Sequence, residues 1–316
     1  MESPVHPRYS GFAALLLGAL LVPRLAQSQI ASESPNPHAI VHARAAAMGN
    51  AYAADPSDAG VLFWNPAALV AAPQLSVVAT HAIELTYRND RLNTTNLSLA
   101  YNFENGWAFG IGGTYHRPLS IDPANPEEWS QFSYNSLDLA VACQVIPTLS
   151  FGISTTMQLA EWQSAQSTAM AATVGAYYSP SPEISYALAY RGFGAMIDWP
   201  YDDPARGTTL SKSREPGSVV LAISAKFPTR RKARILSVSM SGEKPLSMRG
   251  VVLSMGLEWL PIPFLALRGG YWRGPHSVSP KVGAGIVLAG FSLDYAYSSS
   301  KLEPLYHQAS LRVAFD

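Results

Sequence analysis

The residue types that most often carry chemistry are present but badly spaced for it. Seven histidines are scattered without metal-ligand spacing, and no Gly-x-Ser-x-Gly or comparable nucleophile setting occurs. Gly110, Gly112 and Gly113 are not a phosphate loop, because neither a helix nor a Lys-Ser/Thr pair follows them; close strand packing explains them. Cys143 is the single cysteine, so no intramolecular disulfide can form. Glu127-Glu128, Asp202-Asp203 and Arg230-Arg231-Lys232 read as solvated charge in connecting segments. The sequence therefore predicts a non-enzyme, with no catalytic, cofactor-binding or metal residue. A different set of charges has a pattern: Asp138, Glu183, Arg191, Lys226, Glu258, Arg268, Lys281, Asp294 and Arg312 all fall on the small, polar parity of alternating segments. Ion pairs across an enclosed polar space are the chemistry such a set can do.

The elements that must position those charges are strands. Leu97, Leu99, Tyr101 and Phe103 alternate with Asn96, Ser98, Ala100 and Asn102. After the turn sequence Glu104-Asn105-Gly106 the pattern resumes with Trp107, Phe109 and Ile111 against Ala108, Gly110 and Gly112, which makes a hairpin. Further strands are predicted at 75–82, 136–145, 149–159, 168–178, 183–191, 218–227, 234–241, 251–259, 264–272, 281–288, 291–298 and 308–315, giving about fourteen. Short connections (104–106, 146–148, 179–182, 228–233, 260–263, 289–290) alternate with longer ones (83–93, 117–135, 160–167, 192–217, 242–250, 273–280, 299–307), as in barrels of the bacterial outer membrane. With that parity both termini face the periplasm.

Two environments suit such strands: the apolar face is either the core of a soluble β-sandwich or the lipid-facing exterior of a barrel. Charge decides between them. Charged residues are 14% of the chain and hydrophobic ones 48%, and the face opposite the apolar one carries Gly, Ala, Ser, Thr and Asn where a soluble sandwich would carry Lys and Glu. Glu161, Arg234 and Arg249 depart from the parity only at strand ends, where a charge in a membrane barrel costs little. Aromatic residues Phe103, Trp107, Tyr178, Phe227, Trp259, Phe291 and Phe315 lie beside short turns, and Tyr115, Tyr190, Tyr271 and Tyr297 beside long loops, forming two interfacial girdles; Phe264, at the parity of Arg268, is an exception. An unpaired strand edge in hydrocarbon is expensive, so the sheet must close. Net charge is zero, which gives no basis for a nucleic-acid partner.

The N-terminus is organised differently. Arg8, an apolar run at 11–22 and Ala26-Gln27-Ser28 read as a cleaved secretory signal, residues 1–28, too short for a spanning helix. For an exported bacterial chain the sequon Asn93-Thr94-Thr95 carries little weight. Residues 29–73 form a separate N-terminal segment and 74–316 the barrel.

That segment contains Ala43-Arg44, Met48-Gly49 and, after Asp55-Pro56-Ser57-Asp58, Trp64-Asn65-Pro66-Ala67-Ala68-Leu69. With Asp294-Tyr295-Ala296-Tyr297, His307-Gln308-Ala309-Ser310-Leu311 and Phe315 near the end, it resembles the PorV/PorQ family, related to FadL-like barrels. Asn50 stands where that family commonly has a second Gly, and Ala68 where Gly often follows Asn-Pro-Ala. The resemblance implies a fourteen-stranded FadL-like barrel in the bacterial outer membrane, with the N-terminal segment as a plug in or near the lumen and Met48, Gly49, Asn65, Pro66 and Ala67 as its turn motif. It also implies an accessory role in type IX-like protein secretion, with secretion-system proteins or secreted cargo as partners. Passive transport of hydrophobic small molecules and a purely structural barrel with an occluded lumen are the alternatives. Outer-membrane lipid is the partner in all three.

Overall fold

The computed structural model describes residues 42–85, 91–119, 132–162, 165–193, 196–203, 207–214, 217–228, 235–246, 249–275, 277–298 and 305–315. The signal sequence read at 1–28 and the clusters Glu127-Glu128 and Arg230-Arg231-Lys232 lie outside them.

Fourteen antiparallel strands close into one barrel: β1 (Leu75–Leu85), β2 (Arg91–Asn102), β3 (Trp107–Leu119), β4 (Phe132–Ile146), β5 (Leu149–Trp162), β6 (Ala165–Ser181), β7 (Ile184–Phe193), β10 (Ser218–Pro228), β11 (Ile235–Pro245), β12 (Val252–Ile262), β13 (Leu265–Arg273), β14 (Val278–Leu288), β15 (Phe291–Ser298) and β16 (Leu305–Phe315). Each pairs with its neighbours in order, β7 meets β10, and β1 closes on β16 with Leu75 opposite Phe315. Strands of eight to seventeen residues match the roughly 9–11 residues a tilted strand needs to cross hydrocarbon. Gly106 (φ +82°) and Gly290 (φ +75°) take up the left-handed conformation that two of the short turns require.

The alternation sorts side chains as the sequence predicts. Leu97, Phe109, Ile153, Leu221, Val282 and Leu311 are exposed, while Asn96, Ser98, Ser154, Ser224, Ser239 and Ser310 are buried. In water each large exposed apolar side chain would forgo about 1.5–3 kcal/mol of burial, so a continuous outer band of them belongs against lipid. Trp107, Tyr178, Trp259, Phe291 and Phe315 stand exposed near the short turns, and Tyr115 and Tyr271 toward the other rim. Phe264 ceases to be an exception: a bulge between Trp259 and Ile262 puts it in the turn, exposed, where strand parity does not apply. The chain has the fold of an outer-membrane β-barrel, and among the described residues no helix is long and apolar enough to cross a membrane.

The strands differ from the expected ones at the long-loop rim. β5 and β6 run on until only residues 163–164 separate them, where a loop at 160–167 is expected, and β1 and β2 extend to Leu85 and Arg91. The apolar alternation fades there because beyond the hydrocarbon neither face meets lipid, but the backbone ladder needs no apolar side chains to continue. The long connection at 192–217 carries its own antiparallel pair, β8 (Met196–Asp203) and β9 (Gly207–Arg214), a sheet separate from the barrel.

Candidate functional site

Residues 42–72 are the part of the molecule that strand patterning leaves unexplained. Almost all of them are buried, and they have little regular structure, so their polar backbone groups are satisfied by caps and by the barrel wall. His42, in extended conformation, caps the one-turn helix α1 (Ala43–Ala47), its Nδ1 accepting from the Ala45 N–H at 3.3 Å. Asp58 caps the 3₁₀ turn Ala59–Phe63 through Oδ1 and the Gly60 N–H at 2.9 Å. Asn65 caps the 3₁₀ turn Pro66–Ala71 through Oδ1 and the Ala67 N–H at 3.2 Å, with Pro66 in the first turn, where its missing N–H costs nothing. Asn65 also donates from Nδ2 to the carbonyl of Ala176 on β6 at 3.1 Å and to that of Ala53 at 3.3 Å. It therefore both initiates the turn and ties it to the wall.

Glycines in the strands mark where this segment touches. A Cβ on Gly256 of β12 would lie 2.5 Å from the Met48 carbonyl oxygen, and one on Gly270 of β13 only 2.1 Å from the Gly49 nitrogen. The two glycines are paired across β12 and β13, so backbone packs on backbone. Gly49 and Asn50 are both left-handed at φ +66°, and Asn50 is the only non-glycine with positive φ among the described residues; asparagine tolerates that conformation where glycine is the usual choice. On the far wall, Gly112 gives room to the Phe63 ring, Gly110 to Leu62 and Leu69, Gly152 to Pro66-Ala67, and Gly175 to Asn65. The role of Gly110 and Gly112 is thus room for the segment rather than close strand packing alone.

Charge fixes the first part of the segment. Arg44 makes a two-pronged contact with Glu258 of β12, both nitrogens 2.9 Å from a carboxylate oxygen, and its Nη2 also donates to Asp55 Oδ2 at 2.7 Å. Glu258 further accepts from Arg268 Nε of β13 at 2.6 Å, and Arg268 Nη1 donates to Asp294 Oδ1 of β15 at 2.6 Å, passing over Gly285, where a side chain would block it. Lys226 Nζ lies 4.0 Å from Asp55 Oδ1. Three cations and three anions thus balance in one network. Burial disfavours the charged form of Arg44, and Asp55 and Glu258 more than reverse this, holding its pKa well above the ordinary arginine range. Arg312 joins from β16, donating to the Ser57 carbonyl at 3.1 Å and to Ser292 Oγ at 3.0 Å.

Beside that network His42, Tyr52 and Asp58 form a second buried group. Tyr52 Oη donates to Asp58 Oδ2 at 2.8 Å, and His42 Nε2 lies 3.3 Å from the same oxygen without aligning on it as a hydrogen bond. Burial lowers the His42 pKa below its usual value, although Asp58 opposes this, so the imidazole is neutral at neutral pH. Burial and the neighbouring Asp58 together push the Tyr52 phenol well up. Tyr52 also stacks on His42, meets the edge of Trp64 and lies under the Arg44 guanidinium, 5.4 Å from its ring centre.

The charged residues singled out in the sequence divide into groups. Glu258, Arg268 and Asp294 come together with Arg44, while Lys226 and Arg312 approach the segment at Asp55 and Ser57. Arg191 pairs with Glu243 of β11 at 2.5 Å, Lys281 is buried, and Asp138 is buried with Thr156 and Ser136. Glu183 does not join them: it lies exposed in the turn between β6 and β7, because the strand starts one residue later than expected. Met48, Gly49, Asn65, Pro66 and Ala67 are all at contacts with the wall. Sequence reasoning missed His42, Tyr52, Asp55 and Asp58; polar residues inside a stretch otherwise rich in alanine were the available signal. Among the described residues no group of three or more His, Cys, Asp or Glu could hold a metal.

No protein-family model and no curated protein sequence matches this chain. Solved structures do resemble it in fold. The Ralstonia pickettii toluene transporter TbuX superposes with a TM-score of 0.62 at 12% identity, covering 87% of this chain and 98% of the transporter. CymD, a monoaromatic hydrocarbon channel, gives 0.60 at 15% identity over 88% of this chain and 98% of that one. A Pseudomonas aeruginosa FadL homologue gives 0.59 at 13% identity, with 88% and 99% covered. The first two are described as a transporter and a channel, and none of the three is described as a secretion component.

Proposed function

We infer that this protein is a passive conduit for small hydrophobic molecules across the outer membrane, with residues 29–73 acting as a plug in the barrel's lumen after removal of a signal at 1–28. The observation that carries the reading is the seating of residues 42–72 against two opposite parts of a closed fourteen-strand barrel, β1–β6 and β12–β16. A buried, polar-bonded segment across the interior leaves no wide aqueous channel, which suits solutes that partition into membranes better than ions or sugars. The described functions of TbuX and CymD support the same class by fold analogy. In this role Met48, Gly49, Asn65, Pro66 and Ala67 seat the plug, Glu258, Arg268 and Asp294 lock it through Arg44, and the inward-facing charges set the polarity of the remaining lumen. Outer-membrane lipid surrounds the barrel, and catalysis has no part in the role.

Proteoliposomes test it. Protein-containing vesicles should equilibrate toluene faster than empty ones while remaining impermeable to a disaccharide; equal toluene rates in both would end the proposal. The secretion role of PorV/PorQ type rests only on the motifs at 43–69 and 294–311, and neither family models nor solved structures add support to it. Recovery of secretion-system proteins with the barrel from detergent-solubilised membranes would revive it.

A further inference from the structure

Arginines on the inside of the barrel are matched, and two at its outer rim are not. Arg44 and Arg268 meet Glu258, Arg191 meets Glu243, and Arg312 donates to Ser292 and the Ser57 carbonyl. At the long-loop end of β11–β13, by contrast, Arg249 and Arg273 have no hydrogen bond or ion pair among the described residues. Arg249 is exposed in the turn before β12, and Arg273 is half-buried at the end of β13. Leu267 and Tyr271 are exposed on alternate residues of that strand, so Arg273 shares their lipid-facing parity, about 7 Å beyond Tyr271 along the chain.

Lys244 joins the two arginines from β11. It is exposed, on the parity opposite to Glu243, which turns inward to Arg191. Its Nζ donates to the Gly250 carbonyl at 3.0 Å. Gly250, left-handed at φ +114°, lies against Pro275, whose ring a Cβ would meet at 3.3 Å. One hydrogen bond and one packing contact therefore gather the rim ends of β11, β12 and β13. Register pairs Gly242 with Leu253 and Leu253 with Arg273, so two strand spacings, about 10 Å, separate the strands that carry Lys244 and Arg273. Among the described residues no Asp or Glu occupies the outward parity of β10–β14. Three like charges gathered at one place repel one another, and the carboxylates of β11 and β12, Glu243 and Glu258, are matched on the inside.

The patch also has a defined depth. Long connections of an outer-membrane barrel lie on its outer side, and Tyr271 below Arg273 and Tyr190 in the cross-strand row of Lys244 belong to the girdle at that interface. Leu246, Val251 and Val278 are exposed beside the cations, so positive charge borders directly on apolar surface. A guanidinium matches phosphate in a two-pronged fork.

We propose that the outward rim of β11–β13 binds the phosphate of an outer-leaflet lipid, with Arg249 and Arg273 gripping the phosphate, Lys244 holding the turn and adding charge, and the neighbouring apolar side chains taking the acyl chains. The proposal is independent of the conduit reading, because the lipid binds outside the barrel whether or not a solute passes through it.

Native mass spectrometry of the full chain in neutral detergent tests it by counting bound lipid. The probes are lipid A with its phosphates and the same lipid A enzymatically stripped of them. The native protein should bind the phosphorylated form at least about tenfold more tightly, the scale of two cations at an anionic surface. Arg249→Gln and Arg273→Gln together should erase that preference while heat-modifiable mobility shows the barrel still folded, and either change alone should reduce it about threefold. Arg117→Gln removes an exposed rim arginine from β3, away from the patch, and should leave the preference intact. Equal affinity of the native protein for the two lipids overturns the proposal, as does a preference that survives the double change or one that Arg117→Gln reduces as much as Arg273→Gln does. Displacement of lipid A by an equal concentration of inorganic phosphate would also overturn it, since the patch would then take the anion without the lipid.

Discussion

Residues 42–58 reach β12–β16 through Arg44, the Ser57 carbonyl and the backbone at Met48-Gly49, whereas residues 59–72 reach β2–β6 through Leu62, Phe63, Leu69 and Pro66-Ala67. The first contact is ionic and directional; the second is apolar and depends on shape. Burying apolar side chains supplies stability with little demand on geometry. A buried ion network contributes little net stability, but losing one member leaves its partners uncompensated. The apolar half therefore holds the segment in place, and the ionic half determines how it is oriented and under what conditions it stays.

This difference can be broken from either side. Because Arg44 is the only Lys or Arg between residues 42 and 87, trypsin cleavage after it reports release of the segment while the folded barrel is followed by its heat-modifiable electrophoretic mobility. The largest effect is expected for Gly270→Val, which puts a side chain where the Gly49 nitrogen sits. Cleavage should approach the rate of an unfolded peptide with the barrel still folded; protection like that of the native protein would mean the backbone contact does not seat the segment. Next comes Glu258→Ala, which strands Arg44 and Arg268 together and should cost about 3–5 kcal/mol of segment stability, read as a several-hundredfold faster cleavage. Phe63→Ala should cost about 3 kcal/mol through the cavity left over Gly112, and, unlike loss of the ionic contact, its effect should not change with pH.

The smallest effect sharpens the comparison through pH. Burial holds the His42 pKa below its usual 6.5, so as pH falls below about 6.5 the released segment takes up a proton that the seated one does not. Segment stability should then be full above that pH and decline below it, measured by hydrogen exchange at Ala45–Ala47. His42→Asn keeps a good helix cap without a titrating ring; it should match the native protein at pH 8 and lose the decline between pH 6.5 and 5. An unchanged decline in that variant would place the pH response elsewhere.

The barrel was legible in the sequence because each strand reports its two environments every second residue: Leu97, Leu99 and Tyr101 face outward and Ser98 and Ala100 inward, whatever the rest of the chain does. Strand ends were less legible, since at the β5–β6 rim the ladder continues through sequence with no lipid-facing pattern. The segment had no period to read. Its caps at Asp58 and Asn65 are local and visible, but the Arg44–Glu258 pair joins residues 214 positions apart, and only the closed register of the sheet brings Glu258, Arg268 and Asp294 to the same place. Glycines offered the missed signal: Gly256, Gly270 and Gly283 weaken a strand unless something packs where their side chains would be.

If residues 42–72 close the interior of the barrel, ions should not pass through it. Single-channel recording in planar bilayers, comparing the full protein with one lacking residues 42–72, tests it directly. Almost no ionic current is expected through the intact protein and a steady, large conductance through the shortened barrel, provided the latter retains heat-modifiable mobility. Equal, large conductance from both would contradict it.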